Sequence, residues 1–273
     1  MKVLVSVDIE GVAGVTHAEQ TRNGNGEYER ARAWMTAEAN AAIRGAFDGG
    51  ATEVLVNDSH GSFRNLLLDK LDERAQMVTG KPRYLSMMSG VEQGCETVFM
   101  VGYHSKSQTT GVLAHTINSF AFRHVVVNGA ELGEAGLYGA LAGEFGASVA
   151  LLTGDDVFLA ETLPLFPGAM SVQTKVAQGN ATCTSLSPGR ACELIHEAAA
   201  KAMGKAAGLK PLVLSAAPFV CELTTQTPGQ ADLFCQLPTV TRVNGNTLSF
   251  QADTMYAVIR ILNCFSAMSF MLR

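Results

Sequence analysis

Charge is scarce in this chain, and no stretch of it is strongly basic. Of 273 residues only 16% are charged, and 20 Lys and Arg stand against 25 Asp and Glu, a net charge of -5. Without a Lys/Arg cluster nothing can neutralise a run of phosphates, so no nucleic-acid partner is expected. There is no acidic tail either. The six cysteines (Cys95, Cys183, Cys192, Cys221, Cys235 and Cys264) are scattered, and no two form a CxxC pair. That excludes a disulfide framework or a structural zinc site and reads as reduced thiols in a cytoplasmic protein. HExxH, Walker A and GxSxG motifs are all missing. Gly24 and Gly26 in NGNGEYE follow no strand and open no dinucleotide fingerprint. Internal repeats and low-complexity linkers are absent. At the N-terminus, MKVLVSVDIEG is apolar for too few residues before Asp8 and Glu10 to read as a signal peptide. The most apolar stretch, 255–272, contains Arg260 and Asn263 and sits near the lower length limit for a bilayer span. It is expected to be a buried or interface helix, with no membrane partner.

What the chain does have is core. A hydrophobic fraction of 47% argues against disorder, and the length suits one large domain or two modest ones. KVLVSVD (2–8), TEVLVN (52–57), TVFMVG (97–102) and SVALLTG (148–154) read as buried strands. Helices are expected over 27–47, where apolar residues recur at helical spacing before Gly49-Gly50, and over 65–74 and 132–145. Residues 119–128 read as extended, ending at the turn signal Asn128-Gly129. Ser187-Pro188 opens a helix to about Met203, and a last helix starts near Asp253. This alternation predicts an α/β fold with a mainly parallel central sheet flanked by helices. After residue 165 the texture changes, so the expected division is a catalytic core over 1–165 and a smaller C-terminal α/β subdomain over 166–273.

The polar residues with chemistry follow the strands. Asp8 and Glu10 end the first, Asp58 and His60 follow the second, His104 follows the third, and Asp155 and Asp156 follow a later one. Ligands of open parallel sheets bind at that edge. Asp58 alone reads as a turn former, and His17, His124 and His196 read as structural, with His196 on a solvated helix face. Carboxylates and imidazoles without thiolates suit Zn, Mn, Co or Fe in an open catalytic site. Asp8 and Glu10 are two apart, so in a continuing strand they would point the same way. There are enough donors for two divalent ions, and a carboxylate such as Asp8 can bridge a pair. A competing reading is a Mg-dependent phosphatase that phosphorylates Asp8 and holds its metal with Asp8 and Asp155 or Asp156. That class wants Asp where Glu10 stands and has no use for His60, His104 and His115. A non-catalytic metal-binding scaffold is the third reading.

The ordered set S-V-D-I-E-G (6–11), V-N-D-S-H-G (56–61), G-Y-H (102–104), G-V-L-A-H-T (111–116), G-E-A-G-L (133–137) and T-G-D-D (153–156) resembles the D-aminopeptidases of the DppA type, peptidase family M55. L-S-P (186–188) and F-Q-A-D (250–253) extend the resemblance. It implies two zinc ions held by Asp8, Glu10, His60, His104 and Glu134, with Asp8 as the bridge and His115 as the catalytic residue. It also implies removal of N-terminal residues, D-Ala among them, from short peptides by metal-activated water. Assembly is implied to be a ring-like homo-oligomer, a decamer, around an internal chamber, which gives the apolar C-terminal helix a place at an interface. Tyr138 and Ser105 depart from the family's usual Asn and Ala.

Overall fold

A computed structural model of the chain describes residues 1–214 and 217–273. In chain order the elements are β1 (Lys2–Val7), α1 (Gly26–Asp48), β2 (Glu53–Asp58), β3 (Gln76–Val78), β4 (Thr97–Val101), β5 (Phe122–Val127), β6 (Ala130–Glu131), α2 (Glu134–Glu144), β7 (Ser148–Asp155), α3 (Asp156–Thr162), β8 (Met170–Gly179), β9 (Thr182–Ser185), α4 (Pro188–Ala206), β10 (Phe219–Thr225), α5 (Pro228–Phe234), β11 (Val240–Arg242), β12 (Thr247–Ala252) and α6 (Met255–Met268). The larger sheet has strand order β3-β2-β1-β4-β7-β8-β9 and is parallel except for the β8–β9 hairpin. The smaller sheet, β11-β12-β10-β5-β6, is antiparallel.

The central strands are apolar on both faces because both faces are covered. Val3, Val5 and Val7 of β1 pack with the buried faces of α1 and α4. Leu4 of the same strand packs in the opposite cluster with α2, α6 and the inner face of the smaller sheet. Asn25 caps α1 by accepting from the Tyr28 amide at 2.9 Å, and Pro188 stands in the first turn of α4 behind Ser187. Helix α6 buries Met255, Val258, Ile259, Leu262 and Phe265 and leaves its other side outward.

One expectation changes. Over 65–74 the chain makes only a 3₁₀ turn, Leu68–Lys70, because its polar groups bond elsewhere. The amides of Asn65 and Leu66 donate to the Asp58 carboxylate, Leu67 N donates to Thr36 Oγ1, and Asp72 N donates to Asn40 Oδ1. Both sheets draw strands from both halves of the chain. β8 and β9 complete the larger sheet, and β5 and β6 from the first half complete the smaller one.

Parallel order places the C-terminal ends of β1, β2 and β4 side by side. Their following loops meet closely: Asp8 N donates to Val101 O at 2.8 Å and Gly11 N to Gly102 O at 2.7 Å. A Cβ at Gly11 would collide with the Tyr103 carbonyl oxygen, and one at Gly102 with that of Asp8. Gly102 also adopts φ 71°, in the left-handed region. These two glycines let two polar loops lie backbone against backbone.

Candidate metal centre

Six side chains converge over this edge. Asp8 Oδ1 lies 3.3 Å from His60 Nδ1, and Glu10 Oε2 lies 3.1 Å from the same nitrogen. Asp8 Oδ2 lies 3.5 Å from His104 Nε2, which also stands 3.5 Å from Glu134 Oε1. His115 stacks on His104 with ring centroids 4.0 Å apart, its Nε2 3.7 Å from Glu134 Oε1. Asp8, Glu10, His104 and Glu134 are at most 4% exposed, so their charges have almost no solvent to stabilise them.

The side chains arrive by different routes. β1 ends at Val7, and Asp8 Oδ1 accepts from the Ile9 amide at 2.9 Å as the chain turns. Asp8 and Glu10 therefore reach the centre through a turn, not through the alternation of a continuing strand. His60 and His104 follow β2 and β4 directly. Glu134 is the first residue of α2, and its Oε1 accepts from the Ile117 amide at 2.6 Å.

The imidazoles share one arrangement. His60 Nε2 is 2.8 Å from Thr21 O, His104 Nδ1 is 2.9 Å from Ser105 O, and His115 Nδ1 is 2.9 Å from Leu113 O. A carbonyl only accepts, so each of these nitrogens carries the proton. The other nitrogen of each neutral ring then turns a lone pair toward the carboxylates. Lone pair facing carboxylate is repulsive unless a proton or a cation lies between them. Two of the facing atoms, Glu10 Oε2 and His104 Nε2, are buried without a hydrogen-bond partner. Donor atoms of Asp8, Glu10 and His104 lie within 4.8 Å of one another, as do those of His104, His115 and Glu134. This donor set fits borderline divalent cations, with backbone carbonyls fixing the ring tautomers as they do around bound metals.

The same groups also compete for protons. Burial, and then Glu10, push the Asp8 carboxyl up to about 8. Burial acts the same way on Glu10 and Glu134, but the facing His60 and His104 outweigh it and hold both carboxyls below their ordinary value. Burial opposes charge on the imidazoles as well. Glu10 nevertheless raises His60 well above its ordinary value, and Glu134 raises His104 to about 10. His115 moves the other way, lowered by burial and by His104.

The remaining acids do structural work. Asp58 accepts from Asn65 and Leu66. Asp155 accepts from the amides of Val112 and Phe158, and Asp156 from that of Ala177. Neither of the pair lines the cleft over the cluster, so the donors required by the phosphatase reading are not assembled. His17 caps a 3₁₀ turn, His124 meets Glu131 at 2.6 Å, and His196 meets Asp48 of α1 at 2.7 Å on a solvated face.

Sequence reasoning missed Lys175. It is 2% exposed, and its Nζ donates to the carbonyls of Glu10 at 2.5 Å, Val12 at 3.0 Å and Val15 at 2.5 Å. Glu38 Oε1 accepts from the Ala13 amide at 2.9 Å in the same loop. A buried cation and a buried carboxyl thus pin the segment that carries Glu10. The pairing between β7 and β8 shifts register at Gly154/Asp155. The resulting bulge turns Lys175 inward where simple alternation would leave it outside with Gln173.

A sequence model described as D-aminopeptidase, peptidase family M55, matches residues 1–264. The chain belongs to this family. It is 34% identical over 256 residues to the D-aminopeptidase of Bacillus subtilis (strain 168), covering 93% of each chain. A solved M55 relative, described as "Zn-dependent D-aminopeptidase DppA from Bacillus subtilis, a self-compartmentalizing protease", matches with a TM-score of 0.95 at 31% identity. That match covers 99% of this chain and 98% of the other. Asp8, Glu10, His60, His115 and Glu134 of this M55 chain line a cleft of about 1010 Å³.

Proposed function

We propose that this M55 chain is a zinc-dependent aminopeptidase that removes N-terminal D-residues, such as D-Ala, from short peptides. One observation carries the site assignment: three imidazoles, each locked by a backbone carbonyl, turn their free nitrogens onto buried carboxylates with orphaned atoms among them. Asp8, Glu10, His60, His104 and Glu134 would hold two zinc ions. Asp8 turns one oxygen toward His60 and the other toward His104, so it is the carboxylate that would serve both ions. Zinc bound there supplies Lewis acidity for the scissile carbonyl and makes hydroxide available near neutral pH.

The chain's own residues do the rest. Leu113 O holds the Nδ1 proton of His115, leaving Nε2 as the atom that accepts a proton from attacking water and returns it to the departing amine. Glu134 Oε1, 3.7 Å from that Nε2, favours the transient imidazolium. Residues 1–165 carry every proposed ligand. Residues 166–273 contribute a wall of the cleft through Asn180, Asn263, Ser266, Ala267, Phe270 and Arg273. The free thiols suit a cytoplasmic location. The relative's description as self-compartmentalizing supports a homo-oligomer here, with a ring-like decamer as its specific form.

The test is a zinc-loaded assay with paired D- and L-dipeptides and a phosphate ester, beside His60→Ala and His104→Ala. Release of D-Ala from D-Ala-D-Ala is expected, with lower bound zinc and lower turnover in both variants. Full turnover after thorough chelation, or turnover of the phosphate ester alone, overturns the reading. Faster release from L-Ala-L-Ala overturns the stereochemical part.

A further inference from the structure

We infer that Lys81 and Arg83 form a subsite for the C-terminal carboxylate of a short peptide, an inference that rests on the aminopeptidase reading above. The charges lining the cleft are segregated. Its acids are Asp8, Glu10 and Glu134, all in the proposed metal cluster, whereas Lys81 and Arg83 stand on the wall. Neither makes an ion pair with a carboxylate among the described residues. Asp58, the nearest acid influencing Arg83, already accepts from the amides of Asn65 and Leu66 and from Asn65 Nδ2.

Both cations are built into place. Arg83 donates through Nη2 to Asp58 O at 2.6 Å and through Nη1 to Val78 O at 3.2 Å, while its buried Nε has no acceptor. Its guanidinium lies 4.0 Å from the Phe63 ring centroid, and Lys81 Nζ lies 5.4 Å from the same centroid. Phe63 adopts φ 59°, unusual for an aromatic residue, and its carbonyl accepts from the Gly80 amide at 2.6 Å and from Thr79 Oγ1 at 2.8 Å. The Phe63 amide donates to His60 O at 2.7 Å, so one turn carries both a proposed zinc ligand and the aromatic platform for the cations. Partial burial, then Arg83 and Arg64, hold the Lys81 ammonium below its ordinary value, the mark of a cation with cationic neighbours and no counter-ion.

An unpaired cation beside an acidic, metal-binding cluster matches the charge distribution of a zwitterionic peptide. The amino end and scissile bond belong at the cluster, and the carboxylate belongs at Lys81 and Arg83. A tight turn keeps its end Cα atoms within about 7 Å, and an extended dipeptide spans about 7 Å. The turn that links His60 to Phe63 therefore keeps the two ends of a short peptide within one cleft, which gives the cleft a way to select short peptides. Of the other cations lining the cleft, Arg22 already pairs with Glu19, and Arg273, bonded to Asn118, is not held on the turn that carries His60.

The experiment compares D-Ala-D-Ala with D-Ala-D-Ala-amide in the zinc-loaded protein and in Lys81→Met, a side chain with no hydrogen bond to the backbone among the described residues. The parent should favour the free acid. In Lys81→Met the acid-to-amide ratio of kcat/KM should fall about tenfold, the size of one lost charge-assisted contact, through KM of the acid. Equal use of acid and amide by the parent, or an unchanged ratio in Lys81→Met, overturns the subsite while leaving the aminopeptidase reading standing. Cleavage of neither peptide overturns both.

Discussion

Replacing Lys175 by Met tests whether the loop that carries Glu10 is held by a buried cation. Methionine keeps the length and volume of the side chain and removes every donor. Three carbonyls, those of Glu10, Val12 and Val15, then lose an ammonium partner. Val12 O still accepts from the Val15 amide at 3.1 Å, which leaves the carbonyls of Glu10 and Val15 without a partner; a buried acceptor left unpaired costs roughly 1–3 kcal/mol, so the loss sums to about 4 kcal/mol. Relief of the lysine's own burial offsets part of this. Its pKa falls from 10.5 to about 8, chiefly through desolvation, and at 1.36 kcal/mol per unit the relief is about 3 kcal/mol. The net expectation is a destabilisation of about 1 kcal/mol. Zinc affinity should fall with it, by roughly 10–100-fold, the usual effect of removing a group that orients a metal ligand. Urea unfolding of the metal-free chain measures the first quantity, and competition against a chromogenic chelator measures the second. No loss of stability, together with unchanged zinc affinity, would refute the reasoning.

Three further outcomes are expected. The metal-free chain should lose stability as pH rises from 6 to 9, because Asp8 (about 8), His104 (about 10) and His60, held well above its ordinary value, keep protons that the unfolded chain releases near 3.8 and 6.5. That contribution is complete below the unfolded values and disappears as pH passes the folded ones; zinc, which expels those protons, should reverse the trend in thermal melts. His115→Ala should keep both zinc ions and lose turnover by about 10²–10⁴-fold; loss of one ion instead would make His115 a ligand, which its place beside His104 and Glu134 permits. Light scattering should give a mass several times 28.9 kDa, and charged residues at Phe270 or Met271, 56% and 77% exposed, should lower it; a monomer in the parent chain would refute the assembly.

Much of the centre was legible because a parallel sheet converts sequence order into position. A buried strand followed at once by Asp, His or Glu places that residue at one edge, and β1, β2 and β4 are neighbours there. Asp8, His60 and His104 followed from this rule. Glu10 was found for the wrong local reason, since a turn and not a pleat delivers it. Glu134 was visible only through its motif, because it begins a helix reached after a hairpin in the other sheet. The same rule over-reached at Asp155, where a strand end serves as a helix cap.

What stayed hidden depends on register and on contacts distant in sequence. Lys175 sits in a strand whose alternation would expose it, and only a bulge turns it inward. The 65–74 segment has helix-compatible residues, but Asp58, Thr36 and Asn40 take its amides first. The glycines of S-V-D-I-E-G and G-Y-H show how far a motif can encode such contacts. Gly11 and Gly102 bear no chemistry, yet a side chain on either would hold apart the loops that present Asp8, Glu10 and His104. Lys175 then fixes the first of these loops from below through its carbonyls. The centre's geometry is therefore set by backbone approach first and by side-chain identity second. That is why two ordinary glycines belong to its signature as firmly as its acids and imidazoles.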